Sequence, residues 1–532
     1  MNHLVADSVY LRVGSRRQFF FDDLLLEQTQ NLTRRFHSPE PVTSRPILQK
    51  DRPWEHVPYF SCNTWNVIRD PRDKLFKCWY EDWEIHDLSN PISWIRESDK
   101  KFCLNLHLSW PSRNLYAESV DGIEWTKPEL GVVTEKGRNT NIVLGGRQSL
   151  GPVHCAYVLL DESENVSSQR FKMVFENMAT ENADDQGGGT FRVAFSEDGI
   201  HWEVQPEPVQ YGSCGSVAGD VVTVSVEPES GVYRLNGRHP LMCSAVVQDM
   251  RNPTDGGWIA PSYPHQFGRE NKRRIYRAES RDMIHWSTPA PLVVPESDLD
   301  NLDDEFYGME QFQIGDDWLG LLNILHNTDN TMDVQLTYSR DGRDFNRVQP
   351  GWAWLTPGGP ESWNRYMTTV CSKPVEVGDE LYVYHGGANV HHDWWMVGVP
   401  EGLDVPESGN LPDVRYGLGL AKMKRDRFVS LAAGPARTGV LVTRPIFPTG
   451  DKLLVNVKCA PGGSLEAAIA DDQGVVVAGF ERTSCQAISG DAVALEVKWK
   501  GQSELPTEKF LKLHFFLKNA ELYSFQFVDK AQ

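Results

Sequence analysis

Carboxylic acids stand at the edges of short apolar runs in several widely separated parts of this chain. Asp220 precedes the run in "GSVAGDVVTVSV". Glu310 lies within "DDEFYGMEQFQIGDDWLGLL", after Asp304 and Glu305, and Glu55 follows Trp54 in "DRPWEHVPYF". An acid at the mouth of a buried strand can be held partly out of water, which raises its pKa, while a second acid in a more polar place stays ionised. Two such groups flanking an acetal can protonate the leaving oxygen and direct water or attack at the carbon, the chemistry of glycosidic bond cleavage. Asp220 and Glu310 are the expected working pair, with Glu55 as a third candidate.

Groups that bind hydroxyls stand nearby in the sequence. Arg238 and His239 occur in "RLNGRHP", and Arg238 offers a planar fork of donors. His154 sits inside the apolar "LGPVHCAYVLLD", His326 ends the run after Glu310, and His385 begins "HGGANVHHDWW". Trp54 and Trp65 are the aromatic surfaces expected beside Glu55. His391 and His392 with Asp393 could ligate an ion, but adjacent strand residues point to opposite faces, so no metal ligand is assigned.

The elements that must position these groups are strands. "KLFKCWYEDW", "RFKMVFENM", "TMDVQLTYS" and "DELYVYHGG" are β-branched or aromatic runs bounded by Gly, Asp and Asn. Helical periodicity is scarce. One phrase punctuates the chain: "ESVDGIEW", "FSEDGIHW", "ESRDMIHW" and "YSRDGRDF", with a weaker copy in "GLGLAKMKRDRFVSL". Its aspartates are Asp121, Asp198, Asp282, Asp341 and Asp426, which lie 77, 84, 59 and 85 residues apart. Asp-Gly suits a hairpin turn that needs positive φ, and each period has room for about four strands, the signature of propeller blades. The phrase is expected to close the outer hairpin of each blade, away from the chemistry. After residue 435 it stops, and alternating strands with turns at Pro461–Gly463 and Asp472–Gly474 predict a β-sandwich. The expected fold is all-β: a five-bladed β-propeller over residues 1–435 and a C-terminal β-sandwich over 436–532. The sandwich is read as a stabilising appendage.

Composition bounds the partners. The 532 residues are 40% hydrophobic and 11% aromatic, with 17 Trp, enough for wide β cores and sugar-stacking surfaces. A net charge of −20 repels phosphate backbones, so nucleic acid is excluded, whereas neutral carbohydrate is not repelled. Nine Cys without a paired spacing argue against a disulfide framework or zinc ribbon. No apolar window reaches transmembrane length, so no membrane partner is expected. The N-terminal residues lack a signal-peptide pattern, so the chain is expected to be soluble, and cytoplasmic unless a leader is removed before export. No oligomeric state is implied.

The turn phrase resembles that of the five-bladed propeller glycosidases, the invertase-like and arabinanase-like enzymes. Nearly the whole chain is similar to a group of bacterial proteins described as glycosyl hydrolases. The matching text is "QFFFDDLLLE", "DRPWE", "MDVQLTYSRDGRDFNR", "GDELYVYHGG", "GLGLAKMKRDRFVSL" and "ELYSFQF". The resemblance implies a glycoside hydrolase with a carbohydrate substrate and no organic cofactor. It also allows a structural calcium ion in the axial channel. The invertase-like Trp-x-Asn-Asp-Pro signature is only echoed in "NTWNVIRDP", and a Glu-Cys pair is missing, so catalytic roles do not transfer by motif. A glycan-binding propeller without catalysis, and a lyase or phosphorylase acting on sugars, remain the rival readings.

Overall fold

A computed structural model of the chain describes residues 10–84, 112–145, 153–177, 190–212, 221–227, 229–238, 273–296, 298–301, 303–326, 329–392, 411–502 and 504–529. The protein is all-β: among the described residues the helical elements are three 3-10 turns, at Ser167–Gln169, Leu411–Asp413 and Arg482–Ser484.

Five antiparallel meanders follow one another along the chain. The first comprises Trp65–Arg69, Phe76–Trp83, Ser112–Ser119 and Ile142–Gly145. The second is Val153–Leu160, Phe171–Asn177, Thr190–Ser196 and Glu203–Val204. The third is Val222–Val226, Tyr233–Arg238, Ile275–Ser280 and His285–Trp286. The fourth is Asp304–Ile314, Asp317–His326, Thr331–Ser339 and Asn346–Arg347. The fifth is Met367–Thr369, Glu380–Ala388 and Tyr416–Lys424, and its outer edge is completed by Glu40–Pro41 and Leu48–Gln49 from near the N-terminus. Second strands such as Phe76–Trp83 and Phe171–Asn177 are buried along their whole length. Both faces are covered, which is why these runs read as continuous rather than alternating hydrophobic text.

The repeated aspartate phrase builds one turn four times. In the first copy Ser119 Oγ accepts from Gly122 N at 2.9 Å, and Asp121 Oδ1 accepts from the amides of Ile123 and Glu124 at 2.8 and 2.9 Å. The same bonds recur at Ser196/Asp198, Ser280/Asp282 and Ser339/Asp341. The residue after each Asp has positive φ: Gly122 77°, Gly199 80°, Met283 65° and Gly342 69°. Each turn also meets the preceding meander. Trp79 Nε1 of the first donates to Gly199 O of the second at 2.7 Å, and Arg234 of the third donates to Gly342 O of the fourth at 3.4 Å. Met283 of the third shares a core with Val174 and Phe191 of the second. Tyr384 Oη of the fifth donates to Gly122 O of the first at 2.9 Å, so the order of contacts returns to its start. The weaker copy differs. Asp426 itself holds the positive φ of 67°, no serine stands two residues before it, and its carboxylate meets Arg17 at 3.1 Å.

A further ten-stranded sheet draws on both ends of the chain. Leu11–Arg12, Gln18–Phe19, Leu26–Gln30 and Thr33–Phe36 pair with strands between Val429 and Val528, the longest being Lys452–Asp471 and Leu511–Val528. Sheet membership therefore does not follow the expected division at residue 435. The reason lies in "FFF". Phe20 points into the core of this sheet, 6.0 Å from Phe525, while Phe19 and Phe21 point the other way into a core with Leu319, Trp354 and Phe428. Strand alternation makes one tripeptide face two cores.

Candidate active site

The first strands of the meanders are stitched side by side. Asn66 exchanges hydrogen bonds with the backbone of Val158, Thr223 Oγ1 donates to Met309 O, and Ser372 Oγ donates to Val67 O. Their two ends are chemically different.

Toward the strand ends lies a cavity of about 610 Å³, walled by Val67, Leu160, Val226, Ile314 and Phe428. Glu310 lines it from the fourth meander, and both its oxygens accept from Tyr157 Oη of the second, at 3.1 and 3.0 Å. Burial pushes the Glu310 carboxyl up to about 8, against the opposing effect of the tyrosine, so it is neutral at pH 7.

Toward the strand starts the five meanders bring charged and polar groups together. Asn63, just before the first strand of meander one, donates to Val222 O of meander three at 3.2 Å. Glu81 of meander one lies 2.7 Å from His154 Nδ1 of meander two. Arg238 of meander three donates to Tyr307 Oη of meander four at 3.0 Å, with its guanidinium 3.8 Å over the ring. Arg273 approaches the same ring at 5.1 Å and pairs with Glu305 Oε2 at 2.8 Å. His392 of meander five packs edge-on against Tyr307, and its Nε2 lies 3.6 Å from Cys62 Sγ. Glu305 is 1% exposed, and its second oxygen, Oε1, has no hydrogen-bond partner.

The residues singled out in the sequence fall into four groups. Arg238 and His154 stand at the strand starts. Glu310 stands in the cavity wall. Asp220 and His239 lie outside the described residues. Of the rest, Trp65 and His326 also lie level with the strand starts, each engaged by its own surroundings, and Glu55, Trp54 and His385 are held elsewhere. Glu55 is enclosed by Lys127 Nζ at 2.7 and 2.8 Å, Tyr80 Oη at 2.7 Å and the amides of Asp51 and Arg52 at 2.9 Å. Trp54 donates to Asn141 at 2.8 Å, and Trp65 is fully buried. His326 lies between Asp304 at 2.7 Å and Asp333 at 3.1 Å. Burial alone would lower its pKa, but these two hydrogen bonds overcome it and raise the pKa to about 10. His385 stacks on Trp363 at 5.6 Å, and burial lowers it to about 4.

No protein-family model matches the chain, and no curated protein does. Solved structures with a similar outline exist. One is a glycoside hydrolase, 12% identical over 73% of this chain and 92% of that one, with a TM-score of 0.44. Another comes from work titled "The GH130 family of mannoside phosphorylases contains glycoside hydrolases that target beta-1,2 mannosidic linkages in Candida mannan", 11% identical over 73% and 94%, TM-score 0.43. A third is an N-acetylgalactosamine deacetylase from F. plautii in complex with blood group B trisaccharide, 14% identical over 75% and 97%, TM-score 0.42. These are likenesses of outline, and the functional argument rests on the residues.

Calcium does not fit the donors. Among the described residues, one group of three or more His, Cys, Asp or Glu side chains could hold an ion: Glu81, His154 and Cys155. Calcium takes about six to eight oxygens, and this group offers one carboxylate beside sulfur and nitrogen.

Sequence reasoning passed over Tyr307, Arg273, Glu81 and Cys155, and weighed Glu305 without choosing it. A usable signal was available. In an antiparallel meander the end of a second strand lies level with the start of the first, so "WYEDW" and "LNGR" bring their last residues to the same place as the residues that open the first strands.

Proposed function

We propose that the protein is a carbohydrate-active hydrolase: a five-bladed β-propeller whose blades are the five meanders, with a β-sandwich built from both chain ends. The cyclic order of turn contacts supports the propeller reading. The catalytic mouth is placed where the first strands begin. The observation that carries this is Glu305, a buried carboxylate with one oxygen on Arg273 and the other without a donor. A buried acceptor left unpaired is costly unless a ligand supplies the proton, and a sugar hydroxyl or an attacking water does so. Glu305 then acts as base or nucleophile. Asp220, two residues ahead of the strand Val222–Val226, is its acid partner, and Arg238 with Tyr307 orients hydroxyls. Glu310 is excluded from the same bond. Five strand residues separate it from Glu305, roughly 15 Å, whereas paired glycosidase carboxylates stand about 5–10 Å apart.

Release of reducing ends from a panel of neutral oligosaccharides, with and without phosphate, tests the reading. Glu305→Gln and Asp220→Asn should each lower turnover by about 10²–10⁴-fold. Unchanged turnover in both variants overturns it. Two guanidiniums on one tyrosine favour a second reading, phosphorolysis, in which Arg238 and Arg273 hold the attacking phosphate. Activity that requires phosphate and yields a sugar phosphate selects that reading.

A further inference from the structure

His154 and Cys155 are neighbours on a strand and should point to opposite faces. They do not. Cys155 has a φ of 47°, and the pairing of Val153–Leu160 with Phe171–Asn177 shifts register between His154 and Tyr157. This bulge turns both side chains to one place, with Cys155 Sγ 3.4 Å from His154 Nε2. A non-glycine residue in this conformation persists only where its surroundings hold it there.

Glu81, on the neighbouring meander, does the holding. Its Oε1 lies 2.7 Å from His154 Nδ1, and its Oε2 accepts from the Cys155 amide at 2.9 Å. Glu81, His154 and Cys155 are each at most 3% exposed, and one donor atom from each lies within 4.8 Å of the others. A fourth polar group completes the picture. Asn114 lies directly opposite Glu81 in the antiparallel pair, so the two share a face with Cβ atoms about 5 Å apart. Asn114 is fully buried, and neither its Oδ1 nor its Nδ2 has a hydrogen-bond partner. A buried amide with nothing to bond is rare in a native interior and points to a missing ligand.

We propose that Cys155, His154 and Asn114, oriented by Glu81, form a buried site for a thiophilic divalent cation of the zinc class, fastening the first meander to the second. Thiolate and imidazole are the strong ligands and the Asn114 amide oxygen is the third, with a water in the fourth place. Glu81, whose Oε1 faces Nδ1 and accepts from Trp83 and whose Oε2 accepts from the Cys155 amide, orients them from outside. Zinc bonds of about 2.3 Å to sulfur and about 2.0–2.1 Å to nitrogen put the two donor atoms about 3.5 Å apart around a tetrahedral ion, close to the separation found. On binding, the Cys155 thiol gives its proton to solvent and the ion takes its place between Sγ and Nε2. The Glu81–Nδ1 contact fixes the ring so that Nε2 faces the ion, the usual support for a metal-bound histidine. Because the site lies between two sheets and is shut from solvent, its effect is on stability rather than on the reaction.

The test uses the full chain, dialysed against a chelator and then titrated with Zn²⁺ alone, and separately with Co²⁺ and Ca²⁺. The expected result is one Zn²⁺ per chain, a melting temperature that rises with Zn²⁺, a thiolate-to-cobalt charge-transfer absorption, and no response to Ca²⁺. Cys155→Ser and His154→Gln should abolish the rise and the absorption, and Asn114→Ala should weaken binding about tenfold. The wild-type cobalt spectrum decides even where a variant does not fold, since no thiolate absorption there overturns the proposal. So does absorption that survives in Cys155→Ser. Rapid alkylation of Cys155 that saturating Zn²⁺ leaves unchanged also overturns it and marks the trio as a metal-free thiol relay.

Discussion

Two carboxyl groups on one strand meet opposite fates. Glu305, second in the strand Asp304–Ile314, pairs with the Arg273 guanidinium, with Arg238 on Tyr307 two residues on, and keeps one oxygen without a donor. Glu310, five residues on, faces an apolar cavity with one tyrosine, and burial leaves it neutral. The end with the cavity is not the end proposed for the chemistry. Volume marks where a ligand fits, whereas catalysis needs groups in different charge states within reach of one atom. Arg238 and Arg273 of the third meander, Glu305 and Tyr307 of the fourth and His392 of the fifth come together at the strand starts.

The comparison breaks first on activity. Glu305→Gln should lower kcat by about 10²–10⁴-fold, while Glu310→Gln, which replaces a neutral acid by a neutral amide, should leave kcat within about threefold, as a factor of ten would need about 1.4 kcal/mol. Equal losses in steady-state assays would erase the distinction between the two ends. The next effect is on stability. A Cβ at Gly199 would stand 2.5 Å from Trp79 Cζ2, at a φ of 80°. Gly199→Ala should lose about 1–3 kcal/mol in denaturant unfolding with KM unchanged, showing that the outer turns hold the meanders together without touching the site. Arg238→Lys keeps the charge and loses the fork over Tyr307, and should raise KM about tenfold with a smaller change in kcat. An effect on kcat alone would move Arg238 from binding to chemistry.

The all-β class and the turn phrase were legible because both are local. A Ser-x-Asp-Gly turn carries its hydrogen bonds within six residues, so its text states its structure. The site was only half legible. Arg238 and His154 were visible as polar residues in apolar runs, but Glu55 had the same appearance and is enclosed by Lys127 from 72 residues away. Nothing in "DRPWE" discloses that partner. Glu310 outranked Glu305 because an acid flanked by apolar residues looks tuned, and it is, by burial. What distinguishes Glu305 is its pairing with Arg273, and the pairing of its strand neighbour Tyr307 with Arg238, which come from another meander and are set only by the fold. The N-terminal strands were misleading in another way. Phe19, Phe20 and Phe21 read as one apolar run, yet they divide between two cores, and the partner of one lies more than 500 residues along the chain.

The smallest expected effect is a slope. The folded pKa of Glu310, about 8, lies above that of an unfolded glutamate, about 4.3. Between those values the folded state keeps a proton that the unfolded state has lost, so stability falls as pH rises, by about 1.4 kcal/mol per pH unit at most. His326 also has a raised pKa, about 10 against an unfolded value of about 6.5. Its contribution is complete below about pH 6.5 and is lost progressively between there and about pH 10, so below pH 6.5 the Glu310 slope is free of it and above pH 8 the His326 slope is free of Glu310. In melting curves at pH 5, 5.5 and 6 the His326 term is absent, but Asp82, Asp317, Asp426 and His385 also contribute. The Glu310 term is therefore the difference in slope between the wild type and Glu310→Gln, and the variant should decline less or rise more. The same substitution should leave the decline above pH 8 in place, because that belongs to His326 between Asp304 and Asp333. If Glu310→Gln leaves the slope below pH 6.5 as steep as before, Glu310 is ionised in the folded protein. The cavity would then hold a charge after all, and the contrast between the two ends would have to rest on Glu305 and Arg273 alone.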